Sequence, residues 1–243
     1  MDDENIYERL QDIFGHIPGN LSILEEQIDI DLQMEYFDFS RDFKNSVPER
    51  VMAVSNKLYE DDYSLENKKK LLVQLASLEK VEAFRAIEKY LKQPDKELRD
   101  WAVLAFQESK MLLQSKFLDE EQIFISTGLG GKGSMLRYFV VLINSLDNRF
   151  DELQQKLIRT EFDFFLKKDN AELEEVDFME NFCTLLVIVP INTSISHIFK
   201  SAINECNQYG GFIRSNFIVT NVKKLGVDEI REFISKQDDT GKK

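Results

Sequence analysis

Histidine and cysteine are scarce in this sequence, with two of each among 243 residues. Neither His16 nor His197 has a second histidine or a cysteine at ligand spacing, so no structural zinc site is expected. Cys183 and Cys206 form no CxxC pair and no disulfide framework, the usage of a reducing compartment. Long apolar runs are missing as well. The longest, FCTLLVIVPI (182–191), is strand-sized and far short of the roughly 20 residues of a membrane span. The opening MDDENIYERL lacks the basic and apolar regions of a secretory signal, so a soluble cytoplasmic protein is expected. Positive charge is outweighed, 31 Lys and Arg against 44 Asp and Glu, for a net charge of −13. Such a chain repels phosphate backbones and anionic lipid, which disfavours nucleic acid and membranes as partners.

What is present is a 43% apolar fraction, enough for real cores. The length suits one large domain or two ordinary ones. The patterning changes near residue 122. Before it, apolar residues recur at helical spacing; after it, β-branched and aromatic runs alternate with amphipathic segments. The expected division is a helical region over 1–122, an α+β domain over 123–235 and a flexible tail over 236–243.

In the first region Ser64 is positioned as an N-cap, and the helix after it carries Leu71, Leu72, Leu75 and Leu78 on one side. VEAFRAIEKYL places Phe84, Ile87 and Leu91 on another stripe, and QPDKELRDWAVLAF begins at Pro94 with Leu98, Trp101, Ala102, Ala105 and Phe106. Short connections predict antiparallel neighbours. Tyr36, Phe37, Phe39 and Phe43 precede them and are expected to pack on the helix pair. The stretch KQPDKELRDWAVLAF resembles a HEAT-type helical repeat, with Asp95, Leu98, Arg99, Ala102 and Ala105 in the repeat's places. The likeness covers about 65–115, and Trp101 departs from the small residue usual there. It implies a stacked-helix module that binds other proteins and carries no catalytic residue.

The second region reads strand (RYFVVLIN), helix (150–168), strand, strand, helix (195–209) and strand (FIRSNFIVTN). ELEEVDFMEN and FCTLLVIVPI are joined at Glu180-Asn181 as a hairpin. On the first helix Phe150, Leu153, Leu157, Phe164 and Phe165 are assigned to the inner face. The βαββαβ order is similar to a ferredoxin-like fold, an antiparallel sheet with both helices on one face. GVDEIREFIS is an appended helix.

Four of the ten glycines fall in STGLGGKGSMLRYF (126–139). Gly128, Gly130, Gly131, Lys132, Gly133 and Arg137 are therefore the candidate anion or partner loop. A phosphate loop needs a glycine five residues before Gly131 and a hydroxyl after Lys132; Ser126 and Gly133 stand there, and a strand follows instead of a helix. A turn between IFIST and LRYFVV explains the glycines directly. A Cys–His dyad of His197 with Cys183 or Cys206 is weighed against inert buried thiols, which the apolar surroundings favour. The acidic groups Asp29/Asp31, Glu60–Asp62 and Glu172/Glu174/Glu175 match no calcium loop or hydrolytic pair. The basic clusters are Lys68-Lys69-Lys70, Lys223-Lys224 and Lys242-Lys243. The expected function is a non-enzymatic adaptor whose partner is another protein, without cofactor or metal. The alternative is a nucleotide or phosphorylated-ligand sensor working through the loop at 128–133.

Overall fold

A computed structural model describes residues 21–43, 46–119 and 122–240. They form two compact units, one of 21–24 and 28–126, the other of 25–27 and 127–240.

The first unit begins with β1 (Leu21–Ile23) and α1 (Ile30–Arg41), whose N-cap Asp29 accepts the amides of Asp31 and Leu32. α2 (Pro48–Ala53) starts on Pro48, where the fixed φ suits a first helical position. A 3₁₀ turn (Ser55–Tyr59) leads to α3 (Leu65–Ala76), capped by the Ser64 hydroxyl on the Asn67 amide. α4 (Val81–Leu91), a second 3₁₀ turn (Lys96–Leu98) and α5 (Arg99–Leu118) follow. The apolar spacing of each helix converges on one core: Leu71, Leu72 and Leu75 of α3, Ala83 and Ile87 of α4, Trp101, Leu104 and Ala105 of α5. β2 (Ile123–Ile125) then returns to pair with β1 in parallel, Ser22 opposite Phe124.

This arrangement corrects the HEAT-type expectation. A stacked repeat leaves a face open for the next helix pair, and a small residue at the crossing lets that pair approach. Here Trp101 fills the crossing, 1% exposed, and α1 closes over it. Tyr36 and Phe39 meet its ring edge-on, at centroid distances of 5.1 and 5.5 Å. The core is sealed on its own helices.

The second unit is an antiparallel sheet between helices. β3 (Gly131–Lys132) turns into β4 (Met135–Ile143), followed by α6 (Glu152–Lys168), β5 (Glu172–Phe178), β6 (Phe182–Pro190), α7 (Ile195–Asn207), β7 (Ile218–Thr220) and α8 (Val227–Thr240). β4 pairs with β6 from Met135–Pro190 to Ile143–Phe182, β5 pairs with the far side of β6, and β7 joins the other edge of β4. β4 from Tyr138 onward and β6, Thr184 apart, read as near-continuous apolar runs because both faces are buried there. Val140, Leu142, Cys183, Leu185 and Val187 face α6 and α7, while Phe139, Val141, Phe182 and Leu186 face Ile230 and Ile234 of α8. The molecule is thus α+β, and helices cover both sheet faces rather than one.

Three local expectations change. IFIST pairs with β1, not with LRYFVV, so the hairpin at the start of β4 is made by β3. The buried stripe of α6 is Ile158, Phe162 and Leu166, at i, i+4 and i+8, whereas Leu153 and Phe164 are exposed. Residues 236–240 continue α8 instead of beginning a tail. No helix among the described residues is long and apolar enough to cross a membrane.

Candidate functional site

The glycine loop is held by the protein's own groups. Gly128 lies in a turn closed by the Gly130 amide on the Thr127 carbonyl at 3.2 Å. The Leu129 amide donates to Asn221 O at 3.0 Å, the Gly131 amide to Glu25 O at 3.3 Å, and the Gly133 amide to Glu25 Oε1 at 3.2 Å. Gly130 has φ +66, and a Cβ there would sit 2.5 Å from the carbonyl oxygens of both Glu25 and Glu26. Only glycine admits that approach. Gly133, at φ +59, takes the first central place of the two-residue turn into β4, which a type II′ turn reserves for glycine.

Its two cations are paired. Arg137 is gripped by Glu174 through Nε–Oε2 at 2.5 Å and Nη2–Oε1 at 3.0 Å, while its Nη1 donates to Leu129 O at 2.8 Å. The Glu174 hydrogen bonds raise the guanidinium pKa above its ordinary value. Glu174 reaches across because it is the extra residue where the β5–β6 register shifts between Leu173 and Glu175, a bulge that re-aims one side chain. Lys132 meets Glu172 at 3.4 Å on the surface.

The remaining sequence candidates do not assemble. His16 lies outside the described residues. His197 is exposed on α7, whereas both thiols are buried. Burial pushes Cys206 up to about 12 and Cys183 well above the ordinary thiol range, so neither is a thiolate at neutral pH. Among the described residues no group of three or more His, Cys, Asp or Glu could hold a metal ion.

The three consecutive lysines are separated by helical geometry. Successive residues point about 100° apart, so they leave α3 in three directions. Lys69 reaches Glu35 at 2.9 Å and lies 4.3 Å from the Trp101 ring centroid; Lys70 lies 4.9 Å from that of Phe43. Lys68 turns inward and is 3% exposed. Its Nζ is 2.9 Å from Asp95 Oδ2, and the Tyr90 hydroxyl donates to the same oxygen at 2.5 Å. The Tyr90 hydrogen bond, followed by Lys68, holds the Asp95 carboxyl below the usual range. Burial, reinforced by Asp95, pushes the Tyr90 phenol above its ordinary value.

This triad floors a cleft of about 520 Å³ in the helical unit. Tyr59, Lys89 and Lys92 form its wall, and Asp61 adds the second acid. Three lysines against two aspartates leave one positive charge in a chain of net −13. Lys89 Nζ stands 4.6 Å from the Tyr59 ring centroid, and the Tyr59 hydroxyl is fixed on Ala86 O at 3.0 Å. The arrangement offers an ammonium and an aromatic face side by side. Sequence reading missed it because Lys68, Asp95 and Tyr59 come from different elements. The Pro94-Asp95 turn was visible, but its carboxylate's partner was not.

No family model matches this chain, and no curated protein matches it by sequence. Among solved structures, it is similar to a putative transposase from Deinococcus radiodurans R1, with 17% identity over 44% of this chain and 94% of that one, at a TM-score of 0.37. It is also similar to a REP-associated tyrosine transposase bound to a REP hairpin, with 10% identity over 42% of this chain and 62% of that one, at a TM-score of 0.32. These solved structures are described as transposases and not as HEAT-type adaptors, and the expectation of a HEAT-type, non-enzymatic adaptor with another protein as partner and nucleic acid disfavoured is withdrawn. They lend nothing to the sensor alternative either. At such identities and TM-scores, neither likeness transfers an activity or a ligand to this chain.

Proposed function

We propose that the helical unit binds a small planar organic anion, such as an aromatic carboxylate, in the Lys68–Tyr90–Asp95 cleft. The observation that carries this is the local reversal of charge beside an aromatic wall. Lys89 and Lys92 supply exposed ammonium groups, Tyr59 supplies a ring face, and the buried triad fixes the floor. Polar groups converging in a cleft, with perturbed Tyr90 and Asp95, are the usual marks of a ligand site. The anion would rest on Lys89 and Lys92 while its ring stacks on Tyr59. Lys68 and Asp95 neutralise each other and shape the floor.

The test is a thermal-shift screen of aromatic carboxylates against their neutral amides, followed by calorimetry. The expected result is binding of the acids alone, weakened by added salt and by Lys89→Ala/Lys92→Ala or Tyr59→Ala. Equal binding of the amides, or hits insensitive to these variants, would refute the reading.

In the second unit, we read the arrangement as ferredoxin-like, which the β5–β6–β4–β7 order and the placement of α6 and α7 on one face support. The glycine loop serves there as a tight turn anchored on Glu25. The two free, buried cysteines support a cytoplasmic setting.

A further inference from the structure

The sheet face under α8 is not completely filled. Ile230 and Ile234 seal it toward Phe139 and Val141, but toward β5 a cavity of about 180 Å³ remains. Its floor is apolar, with Phe139 and Leu186 beneath and Met179 at the side. A cavity of about 150 Å³ accommodates benzene, so this one has room for a single ring with a short chain.

Its polar groups are specific. Glu175 and Asp177 stand at alternate positions of β5, opposite Leu186 and Thr184 of β6, and so project to the same side. Lys224 Nζ closes on Glu175 Oε2 at 2.6 Å, which places an aliphatic ammonium of the chain itself at the rim. Asp177 has no ion-pair partner among the described residues. Thr184 lies in the floor at 6% exposure, and its hydroxyl has no hydrogen-bond partner among the described residues. A hydroxyl not committed to a protein partner at the floor of an open cavity can accept from, or donate to, a polar atom placed there. With Glu175 and Asp177 against Lys224, the lining carries one excess negative charge.

We propose that this cavity is a binding site for a small protonated primary amine with an aromatic or branched apolar body. The apolar body lies on Phe139 and Leu186. The ammonium donates to the Asp177 carboxylate, with the Thr184 hydroxyl as a further acceptor. Lys224 on Glu175 is the resident version of the same contact, an ammonium held by a β5 carboxylate above the apolar floor. The site is independent of the cleft in the helical unit.

The experiment titrates full-length protein with phenethylamine, phenethyl alcohol and hydrocinnamate, observed by calorimetry and by methyl NMR shifts of Leu186 and Ile230. The amine is expected to bind and to shift both methyl groups, with neither the alcohol nor the acid doing so. Asp177→Asn should weaken the amine about tenfold, the loss of one charge-assisted hydrogen bond. Thr184→Val, which keeps the shape, should weaken it by a factor of about 3 to 10. Equal affinity for the alcohol, unchanged affinity in Asp177→Asn, or no methyl shift at millimolar amine would each overturn the proposal.

Discussion

Replacing Asp95 with alanine should destabilise the helical unit far more than removing the lysine that it pairs with. Lys68 has a side-chain exposure of 4% and Asp95 of 32%, so the two ends of the ion pair are solvated unequally. Without Asp95 the Lys68 ammonium is left buried and unpaired, and Tyr90 loses its acceptor. Breaking a fully buried pair in this way costs about 3–5 kcal/mol, and water entering from the Asp95 side reduces this to about 2–3 kcal/mol. Lys68→Met keeps the stem and its packing and leaves Asp95 with Tyr90 and water, at a cost of about 1 kcal/mol or less. The double variant should therefore be more stable than Asp95→Ala alone. The sole tryptophan, Trp101, lies in the core of this unit, so its fluorescence in urea follows the relevant transition. In melting temperature, Asp95→Ala should lose about 4–12 °C at the 2–4 °C per kcal/mol usual for this chain length. Equal single costs that simply add in the double variant would show that the pair is not coupled, and the reasoning would fail.

Other perturbations probe the sheet unit and the acid limit. Gly130→Ala demands a left-handed alanine whose Cβ meets two carbonyl oxygens, so a loss of at least about 2 kcal/mol is expected by circular dichroism melting. A neutral Gly130→Ala would refute that tight approach. Glu174→Ala strips the two-point grip from Arg137, whose side chain is only 15% exposed, and should cost about 1.5–3 kcal/mol. Lys132→Ala, on an exposed pair, should stay within about 0.5 kcal/mol in the same melts. The lowered Asp95 pKa means that its contribution to stability is full above the unfolded value of about 3.9 and is lost as pH falls through the lower folded value. An acid titration of Trp101 fluorescence should therefore show a midpoint shifted in Asp95→Asn, while an identical midpoint would count against the assignment.

Much of the secondary structure was legible because its determinants are local. Ser64 capping α3, the leucine spacing inside it, and the apolar run of β6 each follow from residues within a turn or two. The hairpin at Glu180-Asn181 is likewise local, closed by the Met179 amide on Phe182 O at 3.0 Å. The inner face of α6 is not legible in the sequence because two apolar stripes compete on that helix, and only the sheet beneath selects Ile158, Phe162 and Leu166. In the sequence Trp101 already stands out of place for a repeat. What it signified, a core closed by Tyr36 and Phe39, depended on a helix some sixty residues earlier in the chain.

The sequence by itself determined the α+β class, the acidity, the absence of a long apolar span and the conformational demand for glycine before β4. Composition, periodicity and φ preferences act residue by residue and need no partner. Only the tertiary structure decided where charges meet. It sent Lys68 inward to Asp95 while Lys69 and Lys70 stayed near aromatic rings, set Glu174 on Arg137 through a one-residue bulge, and left Thr184 facing an unfilled cavity. Electrostatic and cavity terms depend on distance in space and on local solvent, and separation along the chain fixes neither.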